Sequence, residues 1–247
     1  MGTMISLVVR GECPTDALDQ VFAWFHWVDE VFSPYRDQSF ISRLGRGEIA
    51  VADCPEHVGD VLARCEVLRA TTGGYFDVGA DPRWPLDPSG FVKGWSAEVA
   101  SQHLSSLGLP HHAINAGGDV RVSTPAGVDP WSVGVAHPFL AGALTVAVDV
   151  ENGAVATSGT YERGCHVFDP HTGAAALDLA AVTVIGPDLG VADAYATTAL
   201  AMGPTSGPAW LGTIAGYDAF VVDAAGGAWW TPGFEARATG LPEAASV

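Results

Sequence analysis

Lysine is almost absent from this sequence: the eleven basic residues comprise ten arginines and Lys93. They face 28 acidic residues, which gives a formal net charge of −17. A surface of this sign repels phosphate backbones and anionic lipid, which disfavours nucleic acid and membrane surfaces as partners. An anionic ligand would need local neutralisation by a metal ion, a lysine or a helix N-terminus. Lys93 is either a surface lysine that remains by chance or a compact cation at a phosphate or carboxylate site.

Cysteines and long apolar runs are also scarce. The four cysteines show neither a C-x-x-C pair nor the spacing of a zinc site, and four in 247 residues do not make a disulfide scaffold. No run approaches the ~20 apolar residues of a membrane span, and the opening run Met4–Val9 is too short for a signal peptide. These absences predict a cytoplasmic protein with reduced thiols and no membrane insertion. The cysteines are Cys13, Cys54, Cys65 and Cys165.

Several familiar catalytic motifs are missing. The sequence contains no G-x-x-x-x-G-K-[ST], no H-E-x-x-H, no G-x-S-x-G and no convincing G-x-G-x-x-G. A nucleotide, if one binds, must therefore occupy a less common kind of pocket.

What is present predicts a loop-rich mixed fold. The 247 residues are 48% apolar and include 30 glycines and 16 prolines, which suits one large α/β or α+β domain. Helical spacing of apolar residues predicts helices over 18–32, 55–70, 93–106 and 191–202. Expected strands span 4–10, 113–123, 131–136, 144–150 and 181–186, with hairpin turns at Asn152-Gly153 and between 219–223 and 228–231.

Asp193 and Thr197 are the first candidate site residues. They lie at i and i+4 near the start of the helix expected over 191–202, so their side chains share one face. A carboxylate and a hydroxyl are hard oxygen donors that suit Mg²⁺. The alternative is a first-turn aspartate favoured by the helix dipole beside a threonine bonded back to the helix.

Three further segments carry chemistry. The loop from Asp87 to Gly94 places Lys93 in the first turn of a helix, where its charge conflicts with the dipole unless an anion lies between them. Asn115–Asp119 carries paired glycines that allow close approach to backbone, or that make an ordinary turn. His166 enters a strand before an Asp-Pro-x-Thr-Gly turn, where it could orient a ligand or accept a proton, or serve as a core or surface histidine.

The order of these segments resembles that of the FAD:protein FMN transferase family, also called ApbE. The resemblance covers residues 1 to about 203 and rests on motifs that follow one another in the family's order. These are Met1-Gly2-Thr3, Ser33–Arg36 with Ser39, Gly74–Asp77, Asp87–Gly94, Asn115–Asp119, Thr157–Gly159, His166–Gly173 and Ala192–Thr197.

The resemblance implies an α+β fold with antiparallel-rich sheets flanked by helices and FAD in a cleft between two intimately packed lobes. The lobes would form one domain over residues 1–240, with a frayed tail over 241–247. It implies metal binding by Asp193, Thr197 and a backbone carbonyl at Gly90. Contacts to FAD would come from Met1, Tyr35, Tyr75, Phe76, Asp77, Asp87, Lys93, Gly117, Gly118, His166 and Phe168.

The family's chemistry implies that a threonine or serine hydroxyl of an acceptor protein attacks the FMN-side phosphorus of FAD, with AMP leaving. His166 is the candidate for the base or for orienting the acceptor, Asp119 is the reserve, and Lys93 is a second positive contact. The family loop usually reads Asp-Leu-Gly-Gly or Asp-Leu-Gly-Ala, whereas this chain has Asp87-Pro88-Ser89-Gly90. Two alternatives stay open: an FAD pyrophosphatase that uses water as the nucleophile, and a non-catalytic FAD-binding protein.

Overall fold

A computed structural model describes residues 3–160 and 167–242. Met1, His166 and most of the tail lie outside them. The helices are α1 (Thr15–Phe32), α2 (Phe40–Gly45), α3 (Glu56–Thr71), α4 (Ser89–Ser106), α5 (Leu189–Leu211) and α6 (Pro232–Glu235). The strands are β1 (Ile5–Val9), β2 (His112–Ala116), β3 (Asp119–Ser123), β4 (Trp131–Ala136), β5 (Leu144–Val150), β6 (Gly153–Gly159), β7 (Leu179–Gly186), β8 (Asp218–Asp223), β9 (Ala228–Trp230) and β10 (Ala238–Thr239).

The described strands form two antiparallel sheets. The large sheet has the order β1-β2-β3-β6-β7-β8-β9, and the small sheet has the order β10-β5-β4. The expected α+β class with antiparallel sheets and flanking helices is confirmed. No helix in the described ranges combines the length and apolar character that a membrane crossing requires.

Apolar side chains cover both faces of the large sheet. On one face, Ile114, Val182 and Val184 pack with Leu200 of α5 and Leu104 of α4. On the other face, residues of β3, β6, β7 and β8 pack against the small sheet around Phe220 and Phe234. A further core joins α1, α2 and α3 to the first half of α4. The large sheet is thus the middle layer. Because both faces of its central strands are buried, these strands carry nearly continuous apolar runs.

The strand expected over 113–123 is two strands. Gly117 and Gly118 adopt φ values of 61° and 97°, a left-handed conformation that other residues rarely adopt, and they turn β2 back on β3. A side chain at Gly117 would also collide with the Thr3 hydroxyl. The glycines therefore make a tight turn.

The hairpin expected at Asn152-Gly153 is wrong. β5 pairs with β4 and β10 in the small sheet, whereas β6 pairs with β3 and β7 in the large one. Asn152 instead exchanges hydrogen bonds with the backbone of Thr124, at 3.0 Å and 2.9 Å. The side chain that favours a turn here ties together the two connections between the sheets.

Candidate active site

A cavity of about 670 Å³ lies between the two sheets and the first turns of α4 and α5. Its volume falls within the 300–1,000 Å³ typical of small-molecule and cofactor sites. The lining includes Val8 of β1, Val120 of β3 and Trp131 of β4, together with Lys93 of α4 and Asp193 of α5. Apolar walls thus surround a group of charged side chains.

Lys93 lies between two buried aspartates. Its Nζ atom is 2.6 Å from Oδ2 of Asp119 and 3.6 Å from Oδ2 of Asp193. Asp119 is 0% exposed and Asp193 is 2% exposed, so water screens these charges little. The other oxygen of Asp119 accepts a hydrogen bond of 2.9 Å from the backbone N–H of Thr157.

Two hydroxyl groups in contact with each other line the same cavity as Asp193. The Oγ1 atom of Thr197 is 3.1 Å from Oγ of Ser158 on β6. A Cβ atom built on Gly90 would lie 3.9 Å from the same Thr197 oxygen, so the backbone of α4 passes close to it. Asp193, Thr197 and Ser158 all line the cavity.

Two glycines bring α4 and α5 into contact beside this cluster. A Cβ atom on Gly94 would lie 2.5 Å from the carbonyl oxygen of Leu189, and one on Gly190 would lie 2.8 Å from the ring of Phe91. Such distances are shorter than ordinary van der Waals contact, so any side chain would force the helices apart. The glycines next to Lys93 and near Asp193 therefore set the spacing of the charged groups.

The expected FAD-contacting residues converge on the same cavity. Tyr75 makes an edge-to-face contact with His171 at 4.5 Å between ring centroids, and Tyr35 makes one with Trp84 at 5.2 Å. The following predicted residues line the cavity: Tyr35, Tyr75, Phe76, Asp77, Asp87, Gly90, Lys93, Gly117, Gly118, Phe168, Asp193 and Thr197. Asp119 lies beneath Lys93, and Met1 and His166 lie outside the described residues.

The donor atoms fit a hard divalent cation. A carboxylate and neighbouring hydroxyls are oxygen ligands of the kind that Mg²⁺ prefers. Within residues 3–160 and 167–242, no group of three or more His, Cys, Asp or Glu side chains is arranged to hold a metal ion. A cation at Asp193 and Thr197 would therefore complete its shell with backbone oxygen, water or substrate phosphate.

Comparison with known proteins decides the family. The model of the ApbE family matches residues 1–85 and 79–221 of this chain. The chain belongs to the ApbE family. A protein from Rhodobacter capsulatus named FAD:protein FMN transferase is 31% identical over 138 residues, which is 52% of this chain and 26% of that protein. A protein of the same name from Treponema pallidum is 28% identical over 206 residues, which is 72% of this chain and 56% of that protein.

Solved ApbE structures share the fold. The flavin transferase ApbE from Vibrio cholerae superposes with a TM-score of 0.82 at 19% identity, over 96% of both chains. The ApbE protein from Thermotoga maritima gives 0.80 at 20% identity, again over 96% of both chains. The chain spans between about a quarter and somewhat over half of the length of the two sequence relatives above.

Some contacts and lining residues of this ApbE-family site had no signal in the sequence. Ser158 belongs to the Thr157–Gly159 motif of the family resemblance, but the pairing of its strand was predicted incorrectly, so its contact with Thr197 was not predicted. Trp131 comes from the small sheet and His137 from the loop after β4. Only the packing of one sheet over the other brings them to the cavity, and no local pattern encodes that packing.

Proposed function

We propose that the protein transfers the FMN moiety of FAD to a threonine or serine hydroxyl of an acceptor protein, with Mg²⁺ bound. One observation carries the proposal: the oxygen donors Asp193 and Thr197 line the same cavity of about 670 Å³ as Lys93, whose ammonium is 3.6 Å from Asp193. Mere storage of a flavin needs no such cluster. The names of the relatives, FAD:protein FMN transferase, support the same reaction.

In the proposed reaction, the acceptor hydroxyl oxygen bonds to the FMN-side phosphorus of FAD. The bond between that phosphorus and the bridging oxygen breaks, AMP leaves with the bond's electron pair, and the hydroxyl proton passes to a base. Bound Mg²⁺ would supply neutralisation of charge on the diphosphate. Asp193, Thr197 and the backbone at Gly90 would hold it, and Lys93 would contact the same diphosphate.

The remaining residues have proposed roles in binding and orientation. Tyr35, Tyr75, Phe76 and Phe168 offer ring faces and edges to the flavin and adenine rings. Asp77, Asp87 and the Gly117-Gly118 turn would contact the polar parts of FAD, with Met1 at the pocket as the resemblance implies. His166 remains the proposed base.

The metal is proposed to bind weakly until FAD supplies further ligands. Asp193 is the one carboxylate of the proposed ligand set, and Mg²⁺ commonly combines a carboxylate with substrate phosphates and water. Titration of the protein with Mg²⁺ in a calorimeter, with and without a non-hydrolysable FAD analogue, measures the difference. Tight binding to the protein alone would contradict this arrangement.

The reaction is tested by incubating the protein with FAD, Mg²⁺ and candidate flavoprotein domains. Intact-mass spectrometry should show a covalent FMN adduct on one acceptor, and replacing the modified threonine or serine with alanine should abolish it. AMP released without an acceptor would identify water as the nucleophile and the protein as an FAD pyrophosphatase. FAD that stays intact with every acceptor would favour the non-catalytic alternative. The proposed acceptor is one reachable from the cytoplasm, the location expected from the sequence.

A further inference from the structure

Lys93 is shared unequally by the two aspartates. The ammonium group forms an ion pair with each carboxylate, but it is 2.6 Å from Oδ2 of Asp119 and 3.6 Å from Oδ2 of Asp193. All three groups are largely buried: counted over the side-chain atoms alone, the exposed fraction is 17% for Lys93, 1% for Asp119 and 3% for Asp193. At these distances and this burial, the position of the ammonium strongly affects the charge that each carboxylate presents to a ligand.

An ammonium and a divalent cation compete for the same carboxylate. If Lys93 moved the remaining distance to Asp193, it would neutralise the carboxylate proposed to bind Mg²⁺ and place a positive charge beside it. The chain must keep a cation near the diphosphate without allowing that cation to occupy the metal ligand.

Asp119 is placed to prevent this movement of Lys93 toward Asp193. It begins β3 directly after the Gly117-Gly118 turn, and its second oxygen is fixed by the N–H of Thr157 on the neighbouring strand β6 at 2.9 Å. The carboxylate that holds Lys93 is therefore anchored to the large sheet, whereas Asp193 belongs to α5. The shorter ion pair of the ammonium is therefore with a residue of the large sheet.

We propose that Asp119 is a positioning residue that holds Lys93 closer to itself than to Asp193, and so limits the competition of the ammonium with a divalent cation for the Asp193 carboxylate. This role rests on the proposed metal site and goes beyond it. It assigns Lys93 as an internal competitor of the metal and Asp119 as the group that restrains it.

Metal binding to four proteins tests the proposal without any turnover. Mn²⁺ binding in the absence of FAD is measured by the electron paramagnetic resonance signal of the free ion for the wild type, Asp119→Asn, Lys93→Met and the double variant. Asp119→Asn should weaken binding by about tenfold or more, because the ammonium then moves closer to Asp193 and competes more strongly with the metal. Lys93→Met should bind more tightly than the wild type, and the double variant should recover the affinity of Lys93→Met.

The recovery in the double variant separates positioning from a general loss of structure or of negative charge. Asp77→Asn makes the same isosteric change at another cavity-lining carboxylate and should leave the effect of Lys93→Met intact. Circular dichroism checks that each variant folds. Unchanged affinity in Asp119→Asn, or a double variant as weak as Asp119→Asn, would overturn the proposal. So would a wild type that binds no Mn²⁺ at millimolar concentration, whereas the transferase activity is decided separately by the adduct on the acceptor.

The single lysine allows a second readout. Protein grown with [13Cε]lysine gives one lysine side-chain signal, which belongs to Lys93. In the wild type, saturating Mg²⁺ should shift this signal little, because the ammonium stays on Asp119. In Asp119→Asn, the metal must displace the ammonium from Asp193, and the shift should be several-fold larger. Equal shifts in the two proteins would contradict the proposed restraint.

Discussion

At the scale of single residues, the chemistry of the cavity depends on a few buried polar groups. The composition and order of the sequence indicated Lys93, Asp193 and Thr197, because a sole lysine and an i, i+4 pair are visible without coordinates. The contact of Ser158 with Thr197 and the ion pair of Asp119 with Lys93 were not visible, since they join residues 39 and 26 positions apart through sheet pairing and helix packing.

Asp193→Ala should abolish FMN transfer, with at least ~100-fold lower activity, because a proposed metal ligand is lost. The fold should persist, because the Asp193 side chain lines the cavity and Lys93 keeps its ion pair with Asp119. Asp178→Ala, at an exposed aspartate, is the matched control and should retain activity. Adduct formation on the acceptor and the circular dichroism spectrum are the measurements; an active Asp193→Ala would refute the site assignment.

His112 should make stability sensitive to acid. It is fully buried, its Nδ1–H donates to the Leu109 carbonyl at 2.7 Å, and burial lowers its pKa below the usual 6.5. Below pH 6.5 the unfolded chain takes up a proton here before the folded chain does. The stability contribution is thus present above pH 6.5 and falls with decreasing pH, by at most about 1.4 kcal/mol per pH unit for one proton.

Urea unfolding at several pH values between 5 and 7.5 checks this, comparing the wild type with His112→Gln. The variant should be less stable at neutral pH, because the Ser101 hydrogen bond of 2.7 Å is disturbed, but its stability should depend less on pH. His26→Gln, at an exposed histidine, should reproduce the wild-type slope. An unaltered slope in His112→Gln would assign the effect to other groups.

At the scale of elements, the sequence predicted the amphipathic helix α1 well, because its apolar residues recur at helical spacing and one face is buried. Prediction was poorer for the ends of α5. This helix extends to Leu211 across a kink at Gly203, whose φ of 78° and ψ of −175° are not helical, and it is followed directly by Pro204. The pairing of β6 was missed because an Asn-Gly dipeptide is a local signal, whereas its partners β3 and β7 are distant in sequence.

Gly94→Ala should separate α4 from α5 and damage the site. The added methyl group would lie 2.5 Å from the Leu189 carbonyl oxygen, so we expect a loss of about 1–3 kcal/mol in unfolding free energy and weaker Mn²⁺ binding. Gly59→Ala in α3 is the matched control: its methyl group would lie 3.7 Å from Val51, and it should be neutral or stabilising. Equal stability and metal affinity in the two variants would show that the helix contact is not limiting.

At the scale of the whole molecule, a formal charge of −17 surrounds a site proposed for an anionic dinucleotide. Among the residues that the structure describes, four aspartates and one lysine line the cavity. Long-range repulsion should therefore slow the approach of FAD, and added salt should screen it. Composition alone predicted this conflict, but only the packing of the two sheets shows where the cavity lies.

Stopped-flow flavin fluorescence should show FAD associating several-fold faster when NaCl is raised from about 20 to about 200 mM, because the Debye length shortens. Riboflavin, which lacks phosphate, should associate at a rate nearly independent of salt. Salt dependence of equal size for both ligands would point to an effect on the protein and not to charge repulsion.

Two of the three strands of the small sheet, β4 and β5, interrupt a hairpin of the large sheet. β3 and β6 pair directly, with Val122 opposite Gly153, and the residues between them leave the large sheet to form β4 and β5 before Asn152 meets Thr124 and the chain returns. One wall of the cavity, including Trp131 and Val133, is thus encoded apart from the helices that carry Lys93 and Asp193. Mutations in this insert can change the shape of the cavity wall without altering the helices that carry Lys93 and Asp193. The ligand selectivity of the site can therefore change separately from its charged groups.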